Sequence, residues 1–289
     1  MRTTSEAPVA EPQSVKRAAE AANGGADRAG SSDRPELGRG AVDIGHLAHS
    51  FGELQVIKHV ELRVKPGEVL GIVGPSGCGK STLLELVSGL REPTAGKIAV
   101  DGDARPAARL QSCAYMPQRD LLLPWLAAID NAAIALRNRG ASRAHARRDA
   151  HPLFERFGLA GFERTRPAEL SGGMRQRIAF LRTLLAGKPV LLLDEPFASL
   201  DAITRAEMQE WLAAALAAES RTVILVSHDV EEALYLSDRV IVLSPRPASA
   251  VADLSAPAPR ARPRLEAVTA QDFTIARERA LEALLEGTR

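Results

Sequence analysis

The chain has 289 residues, a formal net charge of +1, 45% hydrophobic residues and 25% charged residues. That composition is ordinary for a globular protein of about two domains or one large one, and it offers no special affinity for nucleic acid or an anionic membrane surface. No apolar run reaches the roughly 18 residues of a membrane span, the N-terminus lacks the apolar core of a signal peptide, and two cysteines make neither a disulfide framework nor a metal site. The chain therefore reads as cytoplasmic.

Residues 1–40 are Ala, Glu, Arg, Gly, Ser and Pro with almost nothing large and apolar, which is expected to leave them as a disordered tail. Order is expected from near Ala41. Val42-Asp43-Ile44 and Val60 to Val64 alternate apolar and polar residues, as do Lys97 to Gly102 and Cys113 to Met116. Alternation implies one solvated face, so these segments are expected to form a small antiparallel sheet beside a larger core. From Gln118 the spacing becomes helical, over Ala128 to Arg139, Arg143 to Phe157 and Gly173 to Ala186. That block, about residues 119–175, reads as a helical subdomain inserted in an α/β order. Val190 to Leu193, Val223 to Val226 and Val240 to Leu243 are short continuous apolar runs, the pattern of parallel strands buried on both faces. The Pro-rich residues 245–263 are expected as a strand remnant or connector, and Phe273 to Leu285 as an amphipathic terminal helix. The chain shows no internal repeat.

The densest chemical signal is Gly74-Pro75-Ser76-Gly77-Cys78-Gly79-Lys80-Ser81-Thr82, between the apolar run Val69 to Val73 and the helical pattern after Leu83. Strand, Gly-rich loop, then helix is the context of a phosphate-binding P-loop. The glycines let backbone N–H groups converge on one anion, and the helix N-terminus adds about half a positive charge. Lys80 is expected to reach the β- and γ-phosphates and Ser81 to ligate Mg²⁺. Alone, the loop could be a Gly-rich turn; the full G-x-x-x-x-G-K-S spacing in this context favours a nucleoside triphosphate. A second signal, Val190-Leu191-Leu192-Leu193-Asp194-Glu195, ends a buried strand in two carboxylates. Asp194 is placed to hold Mg²⁺ and Glu195 to orient or deprotonate the attacking water.

On these residues and four further motifs the chain resembles the ABC ATPases. Leu170-Ser171-Gly172-Gly173-Met174-Arg175-Gln176 looks like the family's signature motif, and Gln118 like its Q-loop residue. Ser199-Leu200-Asp201 resembles the D-loop, His228 the switch histidine, and Phe51 falls where the family carries an aromatic that stacks on adenine. Ser171-Gly172-Gly173 could equally be an ordinary N-cap with a flexible lead-in. The resemblance adds a reason for the glycines, which is close backbone approach to a γ-phosphate. It implies a P-loop fold with a mostly parallel core sheet, a small antiparallel β subdomain and an inserted helical subdomain, spanning residues 41–245 with a C-terminal extension at 246–289.

The same resemblance implies ATP and Mg²⁺ as ligands, with the P-loop residues 74–82, Phe51, Ser171, Gly172, Gly173 and Asp201 on the nucleotide. Ser81, Gln118 and Asp194 would hold the metal, while Glu195, His228 and Gln118 would serve catalysis. The signature loop would act on a second copy's ATP in a head-to-tail dimer. Asp120-Leu121-Leu122-Leu123-Pro124-Trp125 is similar to the nitrate, sulfonate and taurine group of bacterial importer ATPases, which also includes ATPases for bicarbonate and pyrimidine thiamine-precursor uptake. In that family this segment receives a membrane permease, so exposed Leu and Trp would suit it. The expected function is the ATP-hydrolysing subunit of an ABC importer at the cytoplasmic face of the membrane, linked to a solute-binding protein only through the permease. A soluble ABC ATPase of translation or DNA repair is the alternative from another setting, and a non-catalytic nucleotide sensor a third. Ala198 and Thr183 depart modestly from the family pattern. Cys78 is given no redox role, and histidines other than His228 none.

Overall fold

A computed structural model describes residues 39–287, except 199, 219, 258, 259 and 261. Of the residues 1–40 read as a disordered tail, 1–38 lie outside the described residues, as does Ser199 of the D-loop, while Gly40 is buried and donates to Asp101 Oδ1 at 2.7 Å, so order begins slightly earlier than expected.

The strands are β1 (Val42–Phe51), β2 (Leu54–Val64), β3 (Val69–Val73), β4 (Ala95–Val100), β5 (Cys113–Met116), β6 (Val190–Asp194), β7 (Thr222–Ser227), β8 (Arg239–Leu243) and β9 (Ala248–Ser255). They form a nine-stranded sheet in the order β4-β1-β2-β9-β8-β3-β7-β6-β5. Five neighbours, β8, β3, β7, β6 and β5, run parallel, and β4, β1 and β2 are antiparallel. The parallel strands are apolar on both faces because both faces are covered. In β3, Val69 and Val73 enter one core while Leu70 and Ile72 enter the other; β6, β7 and β8 divide their side chains the same way.

One core contains the face of helix α1 (Lys80–Ser88), with Leu83, Leu84, Leu86 and Val87 buried. Helix α2 (Pro106–Ser112) buries Arg109, whose guanidinium donates to Ile98 O and Ala104 O. The other core gathers α3 (Ala128–Ala132), α5 (Arg143–Arg156), α6 (Gly172–Leu184), α7 (Ala202–Ala217) and α8 (Val230–Leu236). Helix α4 (Ile134–Asn138), α9 (Arg264–Thr269) and α10 (Gln271–Glu286) complete the described helices.

The mostly parallel sheet and the helical block agree with expectation, with three differences. Cys113–Met116 is an edge strand of the parallel core, paired with β6, rather than part of the antiparallel group. Its apparent alternation arises because the one polar member, Tyr115, turns its hydroxyl inward to Asp194. The antiparallel strands are continuous with the core through β9, which pairs with β8 and, in parallel, with β2. Residues 248–255 are thus a strand in the middle of the sheet. Finally, Ala128 to Arg139 is two short helices interrupted at Ala133. The terminal helix is preceded by α9, whose brevity hides it from periodicity.

Candidate nucleotide site

The carboxyl ends of β3, β7 and β6 lie side by side: Val73 pairs with Ser227, and Asp194 with Val226. In an open parallel sheet that edge is where ligands bind. The loop Gly74 to Gly79 leaves β3 here and turns directly into α1. Gly79 occupies the N-cap at φ 118 with no side-chain cap, a conformation that L side chains rarely adopt. A Cβ there would meet Val56 Cγ1 at 2.8 Å, and one on Gly74 would meet Cys78 Sγ at 2.9 Å. The loop is a tight cradle around uncapped helix N–H groups, the geometry that suits a phosphate. Pro75, Ser76 and Gly77 form its outer side, with Ser76 and Gly77 exposed, while Thr82 is half-buried in the first turn of α1.

Lys80 is 4% exposed. Its Nζ donates to Gly74 O at 2.9 Å and Pro75 O at 3.2 Å and lies 3.4 Å from Glu195 Oε1. The cation is thus folded back over the loop that would carry the phosphates. Cys78 is buried, and burial pushes its thiol pKa up, which leaves it inert at neutral pH.

Glu195 is the hub of the crevice. Besides Lys80, its carboxylate accepts from Gln118 Nε2 at 3.1 Å and meets His228 Nδ1 at 3.3 Å. Its own backbone has φ 42, a conformation uncommon for a non-glycine residue that turns the chain sharply after β6. Asp194 is buried beside it and accepts from Ser81 Oγ at 3.0 Å and Tyr115 OH at 2.8 Å. Burial raises the Asp194 pKa against the pull of those two hydrogen bonds. A cation would offset that cost, and Ser81, Asp194 and the Gln118 amide oxygen supply the hard oxygen ligands that Mg²⁺ takes. The donor set therefore fits the metal. Tyr115 is a site residue that sequence reasoning missed; its position three residues before Gln118 was the available signal.

Phe51 is 42% exposed at the end of β1. Its ring packs edge-on against His49 with centroids 4.8 Å apart, and the Arg91 guanidinium lies 4.7 Å from its centroid. His46, His59 and Glu61 form a separate exposed cluster on β1 and β2.

The signature-like segment is elsewhere. Ser171 caps α6, accepting from Met174 N at 3.2 Å, and Gly173 is buried against Thr204 and Met208. Asp201 caps α7 through Ile203 N and Thr204 N, which lowers its carboxyl pKa. Among the described residues no hydrogen bond or ion pair joins Ser171–Gly173 to the P-loop. One chain thus brings together Lys80, Ser81, Gln118, Asp194, Glu195 and His228, and Ser171, Gly173 and Asp201 make their contacts with α6 and α7 instead.

A parallel sheet with a Gly-Lys-Ser cradle at its carboxyl edge and two adjacent acids on a neighbouring strand defines a P-loop nucleoside triphosphatase. Family comparison narrows the class: the "ABC transporter" family model matches residues 57–198. The chain is 43% identical over 245 residues to the aliphatic sulfonates import ATP-binding protein SsuB 1 of Rhodococcus jostii (strain RHA1), covering 85% of this chain and 94% of the relative. It is 42% identical to the formylaminopyrimidine import ATP-binding protein ThiZ of Halalkalibacterium halodurans, covering 73% and 82%. Among solved structures, the dimeric post-hydrolysis state of the ATP-binding cassette MJ0796 bound to ADP and Pi matches with a TM-score of 0.65 at 28% identity, over 74% of this chain and 98% of that one. The chain belongs to the ABC transporter family and is an ATP-binding-cassette ATPase.

Proposed function

We propose that the chain is the ATP-hydrolysing subunit of an ABC importer, working as a dimer on the cytoplasmic face of a membrane permease. The observation that carries the catalytic reading is the convergence of Lys80, Gln118 and His228 on Glu195, one residue from the Ser81–Asp194 pair. Lys80 and the backbone amides of the loop hold the β- and γ-phosphates, with Phe51 against the adenine. Ser81, Asp194 and Gln118 would hold Mg²⁺, which would supply charge neutralisation at the phosphates. Glu195 takes the proton of a water whose oxygen attacks the γ-phosphorus, as the bond to the bridging oxygen breaks and ADP leaves. Gln118 and His228 keep the Glu195 carboxylate aimed. Ser171, Gly172, Gly173 and Asp201 lie apart from this crevice and complete the site of a second copy, an arrangement supported by the dimeric state of MJ0796.

The permease contact is assigned to Leu121 to Trp125. Leu121 and Trp125 are 57% and 67% exposed, unusual for large apolar side chains, and Trp125 borders a groove of about 540 Å³ shared with α4. Arg182 donates to Asp120 O at 2.6 Å and Leu121 O at 2.9 Å, and Arg175 pairs with Asp120 at 3.1 Å. The segment is thereby tied to α6, the helix that Ser171 opens, so a movement of one is transmitted to the other. No described helix is long and apolar enough to cross a membrane, which fits a peripheral subunit. The cargo is a small solute of the sulfonate, taurine, nitrate or pyrimidine-precursor class named by the relatives and the resemblance. The permease and its solute-binding protein select it, because a nucleotide site does not discriminate cargo.

The reading is tested by Glu195→Gln. It should bind Mg-ATP with wild-type affinity and hydrolyse it at least ~10²-fold more slowly, the scale of losing one positioned base. Wild-type turnover would place the base elsewhere.

A further inference from the structure

His228 stands between the last residue of β7 and the first turn of α8, and what fixes it there is a buried polar chain that reaches the C-terminal segment. Ser227 Oγ accepts from Asp229 N at 2.9 Å. Asp229 caps α8 by accepting from Glu231 N at 2.9 Å and Glu232 N at 3.2 Å. Glu232, 4% exposed, accepts from Gln209 Nε2 at 3.1 Å. Gln209, 2% exposed on α7, uses its other end to accept from Arg264 Nε at 2.8 Å. Arg264 Nη2 continues to Glu231 Oε1 at 2.5 Å, and Arg277 Nη1 lies 3.5 Å from Glu231 Oε2. At the far end of α8, Arg260 donates to Leu236 O at 2.8 Å and pairs with Asp238.

An amide side chain donates from its nitrogen and accepts at its oxygen, so Gln209 can serve the Glu232 carboxylate at one end and the Arg264 guanidinium at the other. Arg264 therefore decides which way Gln209 points, and Gln209 decides whether Glu232 keeps its donor. We propose that Arg264 is a positioning residue for His228, acting through Gln209 and Glu232 and so making α9 and α10 part of the hydrolytic apparatus. Without Arg264 the buried Gln209 oxygen loses its donor, the amide is free to reverse, and Glu232, in the first turn of α8 after His228, loses its tie to α7. A buried polar chain of this kind holds its members only when each is satisfied. The proposal rests on the assignment of His228 to the hydrolytic step.

The test uses the full chain with Arg264→Ala, Arg264→Lys, His228→Ala and the Arg264→Ala/His228→Ala double variant, in steady-state and single-turnover hydrolysis with ATP affinity measured separately. Arg264→Ala should lower kcat roughly 3- to 30-fold, the range for sites coupled through such networks. KM and ATP affinity should stay within about twofold of wild type, and Arg264→Lys, which reaches one acceptor rather than both, should be intermediate. The double variant should be no slower than His228→Ala. Wild-type kcat in Arg264→Ala, or a double variant slowed by the full product of the single effects, would overturn the proposal while leaving His228 in its role. Should Arg264→Ala fail to fold, Arg264→Lys decides: wild-type kcat there overturns the proposal. Wild-type turnover in His228→Ala would instead remove the assignment of His228, and the proposal with it.

Discussion

Glu232 shows how a side chain distant from phosphate constrains the site. Burial pushes its carboxyl pKa up to about 7, against hydrogen bonds from Ser227 and Gln209. A folded-state pKa above the unfolded value means that the folded chain binds the extra proton. The stability this supplies is complete below the unfolded pKa and is lost as pH rises through about 7. Glu232→Gln, which keeps the shape without the charge, should therefore be less sensitive to pH than wild type. The gap between the two should open by up to about 3 kcal/mol between pH 5 and pH 8, read as the difference in denaturant midpoints. Parallel pH profiles would show that Glu232 does not titrate in that interval.

At the scale of elements, Asp130 on α3 ties the helical block together by holding α5. Its carboxylate has 1% exposure and accepts from Arg143 Nη2 and Arg147 Nη2, both at 2.6 Å. The Arg147 hydrogen bond, then that of Arg143, holds its pKa well below the usual carboxylate range. That contribution is present above the unfolded pKa and fades as pH falls towards the folded value. Asp130→Asn should cost about 1–3 kcal/mol, since it leaves one neutral carbonyl oxygen for two guanidinium groups that shared a carboxylate, and should lower Tm by several degrees near neutral pH. An unchanged Tm would mean the arginines find other acceptors. Trp125→Ala, on the same block, should leave ATP binding and Tm nearly unaltered and weaken capture of the permease in co-purification, because the ring is 67% exposed. Undiminished capture would place the docking surface elsewhere.

These elements also show what was legible in the sequence. β6, β7 and β8 announce themselves as unbroken apolar runs because each side chain enters one of two cores. The P-loop is legible because its glycines answer steric demands, such as the 2.8 Å approach of Val56 to a Cβ at Gly79. β5 and β9 were misplaced or left undecided for the opposite reason, since their position depends on partners far along the chain. Cys113 pairs with Val190 and Ala248 with Ile57, and no local pattern encodes either. The polar chain through Gln209 and Arg264 was equally invisible, since each member sits in an unremarkable helix 20 or more residues from the next element it joins.

In the whole molecule, the sheet edge collects Lys80, Ser81, Gln118, Asp194, Glu195 and His228, while Ser171 caps α6. On the reading proposed above, each chain would present half of two sites, and two copies would close on ATP. The most direct measurement is sedimentation velocity of Glu195→Gln with and without Mg-ATP, alongside the same protein carrying Ser171→Arg. The account predicts a shift from the mass of one chain to that of two when ATP is added to Glu195→Gln. It predicts no such shift once Ser171→Arg puts a bulky cation where backbone must approach phosphate. An ATP-bound Glu195→Gln protein that stays monomeric, or a dimer indifferent to Ser171→Arg, would contradict it.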